Sequence, residues 1–177
     1  TDGTVDLLRR TPGIVWTSGP DAGMYDAINQ GFRQARGDIL AYQNADDRYA
    51  SPDVVESVVE VFRSRPEVDV VYGDFRYVSA EGQPLEDVRS PDFDPGRLRR
   101  YNFVPPHSTF VRRRVVHELG MWLDPSLRFA GDWDWCLRIA RAGGRFHHVA
   151  RVFSEFRRHP AATTATTPLS TTAATAS

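Results

Sequence analysis

From Ile14 to Val152, short strand-like apolar runs alternate with segments whose apolar residues recur every three or four positions. Val5 to Arg10 reads as the end of a short helix. Ile14-Val15-Trp16-Thr17, β-branched and aromatic, predicts a strand, and Asp38 to Gln43 a second one. Met24, Ala27, Ile28, Phe32 and Ala35 fall on one face of a helix, with Gly37 as its C-terminal cap. Val54, Val55, Val58, Val59 and Phe62 give the next helix its apolar face. Ser51-Pro52-Asp53 opens it with an N-cap, a first-turn proline and a first-turn acid. Val68 to Tyr72 predicts a third strand ending at Gly73-Asp74, and Phe75 to Val78 one arm of a hairpin turned by Ala80-Glu81-Gly82.

Farther on, Asp92 to Tyr101 and Arg113 to Leu119 read as helices, the second stopped by Gly120, while Pro105-Pro106 keeps Phe103 to Val111 extended or irregular. Gly131 to Ala142 predicts an amphipathic helix and Arg145 to Val152 a last strand. This alternation implies crossover connections and an α/β fold with a mainly parallel sheet flanked by helices. Residues 1–160 make one domain on this reading. Ala161 to Ser177 is nearly all Ala, Thr and Ser. It buries too little apolar surface to offset its ordering entropy, and a disordered tail is expected.

Charge and composition narrow the function classes. The 177 residues carry 22 basic and 23 acidic side chains, so net charge implies no polyelectrolyte partner and no nucleic acid. Every one of those basic residues is Arg, a planar bidentate binder, and Lys is absent. The single Cys136 excludes an internal disulfide and a cysteine metal cage, and its apolar neighbours suit a small core residue. No run approaches the roughly 20 apolar residues that span a bilayer, and no secretory leader is recognisable. A cytoplasmic setting, at most peripheral to the inner face of a membrane, is the expectation.

Asn44-Ala45-Asp46-Asp47 concentrates the candidate chemistry. Two adjacent carboxylates directly after Ile39-Leu40-Ala41-Tyr42 suit the carboxyl end of a strand, where open α/β sheets bind ligands. Hard oxygen donors there suit Mg²⁺ or Mn²⁺ together with ligand phosphates. The same residue types also build ordinary solvated turns.

Four segments in order carry a family resemblance: Pro20 to Gly31 (PDAGMYDAINQG), Gly37 to Asp47 (GDILAYQNADD), His107 to Arg113 (HSTFVRR), and Asp132 to Arg138 (DWDWCLR) followed by Phe156-Arg157-Arg158-His159-Pro160. Together they resemble the family 2 glycosyltransferases, whose fold is the GT-A (nucleotide-diphospho-sugar transferase) fold. The resemblance implies inverting, metal-dependent transfer of a sugar from a nucleotide-diphosphate donor to a hydroxyl acceptor, a glycan or lipid-linked sugar, in cell-surface polysaccharide or glycoconjugate synthesis.

By that resemblance Asp47 is a metal ligand, Asp46 shares the metal or touches the donor ribose, and Asn44 orients the turn. Asp132 matches the general-base position, against the alternative of a helix cap. His159 is a candidate third metal ligand, and Arg157 or Arg158 a partner for the diphosphate; the alternative is a basic surface segment. Asp21, Asp26 and Asn29 would close the nucleotide side, although Asp26 and Asn29 equally suit ordinary helix positions. His107 stands on the acceptor side or is a packed core histidine. Trp133 offers a sugar platform or core packing, and Asp134 an acceptor contact or a solvated acid. His147 and His148, adjacent in a strand, point opposite ways and are not a chelating pair.

The chain departs from the family at its start. Thr1-Asp2-Gly3-Thr4 resembles the tail of the turn that follows the family's first two strands. A partial domain with little turnover by itself is expected, with either direct pairing between the Ile14 and Asp38 strands or another segment filling the gap. A nucleotidyltransferase-like enzyme and a non-catalytic sugar- or protein-binding module of the same fold are the competing readings.

Overall fold

A computed structural model describes residues 2–158, and the Ala/Thr/Ser-rich stretch from Ala161 and His159 lie outside them. The order is α1 (Thr4–Arg10), α2 (Met24–Gln34), β1 (Ile39–Leu40), β2 (Arg48–Tyr49), α3 (Val54–Ser64), β3 (Val70–Val78) and β4 (Pro84–Val88). Then follow α4 (Pro95–Leu98), β5 (Thr109–Arg112), α5 (Arg113–His117), α6 (Gly131–Arg141) and β6 (Phe146–Arg157).

β3 forms the spine because Val70, Val71 and Tyr72 are apolar on both faces and fully buried. Side chains alternate across a strand. Val70 accordingly packs with Tyr25, Phe32, Val115, Trp135 and Ile139 from α2, α5 and α6. Val71 joins Val54, Val58 and Phe62 of α3 on the other face. Helices thus cover both faces of one sheet.

The sheet runs β1-β5-β3-β6-β2, with β4 pairing β3. Among the described strands only β3–β6 is a parallel pairing, so the mainly parallel expectation is corrected to a mixed sheet. The reason is β5, which enters antiparallel between β1 and β3 and separates two strands that share a direction. Near Gly73 the β3–β6 register shifts, and an added Cβ there would run into the Phe153 ring.

Other boundaries move for physical reasons. Ile14 to Thr17 is not a strand: it pairs with nothing among the described residues, and Val15 is 91% exposed. Direct pairing with the Asp38 segment therefore does not occur, and β1 itself is only Ile39–Leu40. The predicted third strand and hairpin arm are one continuous strand, β3. The last strand continues past Val152 to Arg157, held against the second half of β3. The Asp92 to Tyr101 helix shrinks to α4, capped by the Asp94 carboxylate on the Arg97 amide. α2 closes at Ala35, before Gly37, and α3 starts at Val54 with Asp53 in the cap position.

One consequence of the topology positions the site. β1 and β2 occupy opposite edges of the sheet, so residues 41–47 must cross it between them. No helix among the described residues is long and apolar enough to cross a membrane.

Candidate active site

The crossing carries Asn44 to Asp47, closed as a turn by the Asp47 amide on the Asn44 carbonyl (3.2 Å). Asn44 Nδ2 donates to Asp47 Oδ2 at 2.8 Å, and the Arg157 amide donates to Oδ1 at 3.2 Å. Asn44 therefore orients the turn, and the extra length of β6 delivers the second donor. Burial raises the Asp47 carboxyl above its ordinary range, and the neighbouring Asp46 charge adds to this against those two hydrogen bonds. The Arg157 guanidinium reaches the carbonyls of Asp46 (3.2 Å), Ser79 (3.3 Å) and Ala80, tying the turn to the β3–β4 hairpin. Arg158 stacks over Tyr77.

Asp132 stands at the start of α6 with both oxygens held. Tyr25 donates its hydroxyl to Oδ1 (3.3 Å) and Asn102 Nδ2 donates to Oδ2 (3.0 Å). Tyr25 also accepts from the Gly131 amide at 2.9 Å. Gly131 is required rather than merely permitted here, because a Cβ would collide with the Tyr25 ring. Burial raises the Tyr25 phenol, and the charge of Asp132 adds to it. The same two causes, in the same order, push the deeply buried Tyr42 hydroxyl well up. Tyr42, in the crossing, packs against the cluster that holds Tyr25 and Trp135. A pocket of about 330 Å³ opens at the start of α2, lined by Met24, Tyr25, Pro125, Leu127 and Arg128.

Other candidates have local partners. Asn29 is buried with its amide closed on Leu123 in both directions, 2.8 Å to the carbonyl and 3.1 Å from the amide. Asp26 accepts from the Ala22 amide and Gln30, which lowers its carboxyl, and Asp21 accepts from the Gly23 amide. Trp133 donates to the Leu98 carbonyl and packs with Tyr72, Phe103 and Cys136. Asp134 pairs with Arg138 at 2.7 Å. His107 is buried against Phe75 and Phe156, and burial pushes its imidazole down to about 4. His148 bridges Asp74 (2.8 Å) and Asp92 (3.2 Å), and His147 contributes nothing to that bridge. Cys136 is buried, which raises its thiol.

Comparison with known proteins decides the family. The sequence profile described as glycosyl transferase family 2 matches residues 1–120. The chain belongs to glycosyl transferase family 2. An uncharacterized glycosyltransferase of Mycobacterium tuberculosis is 35% identical over 134 residues, covering 73% of this chain and 49% of the relative. The O-antigen biosynthesis protein RfbC of Myxococcus xanthus is 28% identical over 148 residues, 84% of this chain and 11% of that protein. Among solved structures, S. aureus TarS 1–349 in complex with UDP-GlcNAc aligns with a TM-score of 0.69 at 14% identity. That alignment covers 90% of this family 2 chain and 47% of TarS 1–349, and establishes the GT-A fold. The chain spans about half the length of the M. tuberculosis relative.

Among the described residues no three His, Cys, Asp or Glu side chains converge on one point as a cation cage. Asp46 and Asp47 supply two carboxylates, and each Asp47 oxygen spends one acceptor site on a protein donor. That donor set fits a Mg²⁺ or Mn²⁺ ion whose shell is completed by phosphate oxygens, not one held by protein alone. Sequence reasoning missed Tyr25 and Asn102 as supports of Asp132. Their signal was weak, since each is an ordinary polar or aromatic residue until the fold brings it to α6.

Proposed function

We propose that this glycosyltransferase transfers a sugar, with inversion, from a nucleotide-diphosphate donor to a hydroxyl acceptor. One observation carries the reading. Asp132, at the start of α6, has both oxygens held by Tyr25 and Asn102, while the crossing 41–47 carries an Asp46–Asp47 turn fixed by Asn44 and the Arg157 amide. Asp46 and Asp47 would hold Mn²⁺ or Mg²⁺, which supplies Lewis-acid stabilisation of the departing diphosphate. Arg157 fixes that turn from behind, and Asn44 keeps Asp47 facing the donor.

Asp132 acts as the general base. It takes the acceptor hydroxyl proton while the acceptor oxygen bonds to the anomeric carbon and the bond to diphosphate breaks. No side chain need form a covalent sugar intermediate: Cys136, the sole thiol, is buried and its pKa is raised. The pocket lined in part by Tyr25, whose hydroxyl aims Asp132, supplies the acceptor entry. TarS, seen with UDP-GlcNAc and with UDP, supports a nucleotide-sugar donor, as does the role of the RfbC relative in O-antigen biosynthesis. An acceptor met at the inner face of a membrane is consistent with such products.

A thermal-shift screen of nucleoside diphosphates with and without Mn²⁺ tests the reading. One nucleotide is expected to stabilise the chain in a metal-dependent manner, by about 2.7 kcal/mol at a hundredfold excess over its Kd. Absence of any nucleotide response would overturn it.

A further inference from the structure

A second cavity, of about 590 Å³, shares no lining residue with the acidic turn or with Asp132 and its supports. Its size lies within the range of about 300–1,000 Å³ usual for small-molecule sites. It exists because two strands fall out of step. β6 pairs Val149 with Gly73 and then Val152 with Asp74, so Ala150 and Arg151 have no partner on β3 and form one wall. The chain leaving β4 forms the other. It is fixed there by the Ser90 amide on Asp74 Oδ1 (2.9 Å) and by the Tyr72 hydroxyl on the Pro91 carbonyl (2.8 Å).

The side chains that line the cavity are mostly charged, and much of that charge is already matched. Arg76 holds Asp87 through two bonds, at 2.5 and 3.0 Å, and Asp53 holds Arg151 at 2.7 Å. His148, its side chain buried, joins Asp74 (2.8 Å) to Asp92 (3.2 Å). Unused capacity remains on three groups. The Asp74 side chain is only 8% exposed, yet its Oδ2 receives no donor among the described residues. So enclosed a carboxylate oxygen calls for a donor. Asp92 uses Oδ1 alone, and Arg89 is exposed and makes no hydrogen bond or ion pair among the described residues.

This set of groups selects the ligand. A phosphate would meet Arg89 but face the carboxylates of Asp74 and Asp92. A cation would meet those carboxylates but face Arg89 and Arg151. A neutral hydroxyl donates to a carboxylate and accepts from a guanidinium, and adjacent hydroxyls on one ring do both at once.

We propose that the cavity between the irregular stretch of β6 and the chain leaving β4, lined by Asp74, Arg89 and Asp92, binds a neutral sugar ring through its hydroxyls. Asp74 and Asp92 accept from the ring and Arg89 donates to it. The site rests on the chemistry of its walls. Its use, holding a unit of the acceptor glycan away from the reacting hydroxyl, rests on the sugar-transfer reading.

The test is amide NMR of the full chain, titrated with the methyl glycosides of glucose, galactose, mannose, rhamnose and N-acetylglucosamine, and separately with inorganic phosphate and Ca²⁺. At least one glycoside is expected to shift the Ser90, Ala150 and Val152 amides saturably, with a Kd of about 10 mM or tighter. Arg89→Gln and Asp92→Asn, both at exposed positions, should each weaken that binding by about tenfold or more. No saturable response of that strength to any of the glycosides would overturn the proposal. So would a tighter response at these amides to phosphate or Ca²⁺, or a smaller loss of affinity in either variant. A parallel titration with UDP, GDP and dTDP, each with Mg²⁺, keeps the two readings separate. Glycoside binding in a chain that ignores every nucleotide upholds the site and removes its assignment to the acceptor. A nucleotide response without glycoside binding leaves sugar transfer standing and overturns the cavity proposal.

Discussion

Tyr25 and Asp132 meet across 107 positions of sequence: the phenol donates to Oδ1 at 3.3 Å while accepting the Gly131 amide at 2.9 Å. One hydroxyl thereby fixes both the first backbone amide of α6 and the carboxylate beside it. Tyr25→Phe removes both bonds and leaves the Gly131 amide unpaired in a buried place. It is expected to cost about 1–3 kcal/mol in chemical denaturation. Sugar transfer should fall further than the loss of folded protein accounts for, because Asp132 loses its orientation. Wild-type transfer per folded molecule would contradict that role.

Gly131→Ala tests the same contact from the other side. The added methyl enters the Tyr25 ring, so overpacking of about 1–3 kcal/mol is expected despite alanine's better helix propensity. A stabilised variant would show that α6 shifts freely against α2.

Asp132→Asn keeps the shape of the side chain but removes the proposed general base. Transfer should fall by about 10²- to 10⁴-fold. The stabilisation given by UDP–Mn²⁺ should persist, since the proposal assigns Asp132 to the acceptor and not to the diphosphate. Parallel loss of transfer and nucleotide response would place Asp132 in donor binding instead.

Asn29 was a candidate for the nucleotide side, and its geometry assigns it other work. Its amide clamps Leu123 at 2.8 and 3.1 Å, pinning the segment before α6 to α2. Asn29→Ala should lower stability by about 1–3 kcal/mol and leave nucleotide affinity of the folded fraction unchanged. A nucleotide Kd raised tenfold or more at unchanged stability would restore the binding role.

Helix α3 was legible because Val54, Val58 and Phe62 bury as their spacing requires, although Val55 stays exposed. Helix α2 was legible as a helix, but it buries Tyr25, Asn29 and Phe32 and leaves Met24 and Ala27 exposed. The acidic turn was legible as well, since two adjacent carboxylates have few structural uses at a strand end. The Ile14 strand was not. β-propensity describes fitness for a pleated, half-buried surface, and Val15 is 91% exposed with no strand paired to it among the described residues. The length of β6 was hidden because Ser154 and Glu155 are polar yet buried, held by Ser108 and Arg48. Tyr25 and Asn102 could not be linked to Asp132 before the fold was known, because nothing in their spacing foretells the contact.

Acid titration separates two buried groups. Burial lowers the His107 imidazole from about 6.5 to about 4, so the folded chain binds fewer protons than the unfolded chain between those values. Its contribution is present above about 6.5 and lost as pH falls toward about 4, amounting to about 3 kcal/mol. His107→Phe should remove that part of the acid sensitivity in denaturation curves at pH 7 and pH 4. Asp47 works in the opposite sense. Its carboxyl is raised by burial, so its contribution is present below the ordinary carboxylate range and lost as pH rises through the raised value. The stability of Asp47→Asn relative to wild type should therefore increase across that rise.

Calorimetric titration of wild type and Asp47→Asn with the nucleoside diphosphate selected by the screen, with Mn²⁺ and then with a chelator, tests the donor site most directly. The account predicts wild-type binding that weakens at least tenfold when the metal is removed, and weakens as much in Asp47→Asn with metal present. Binding of equal strength in all arms, or none in wild type, would contradict it.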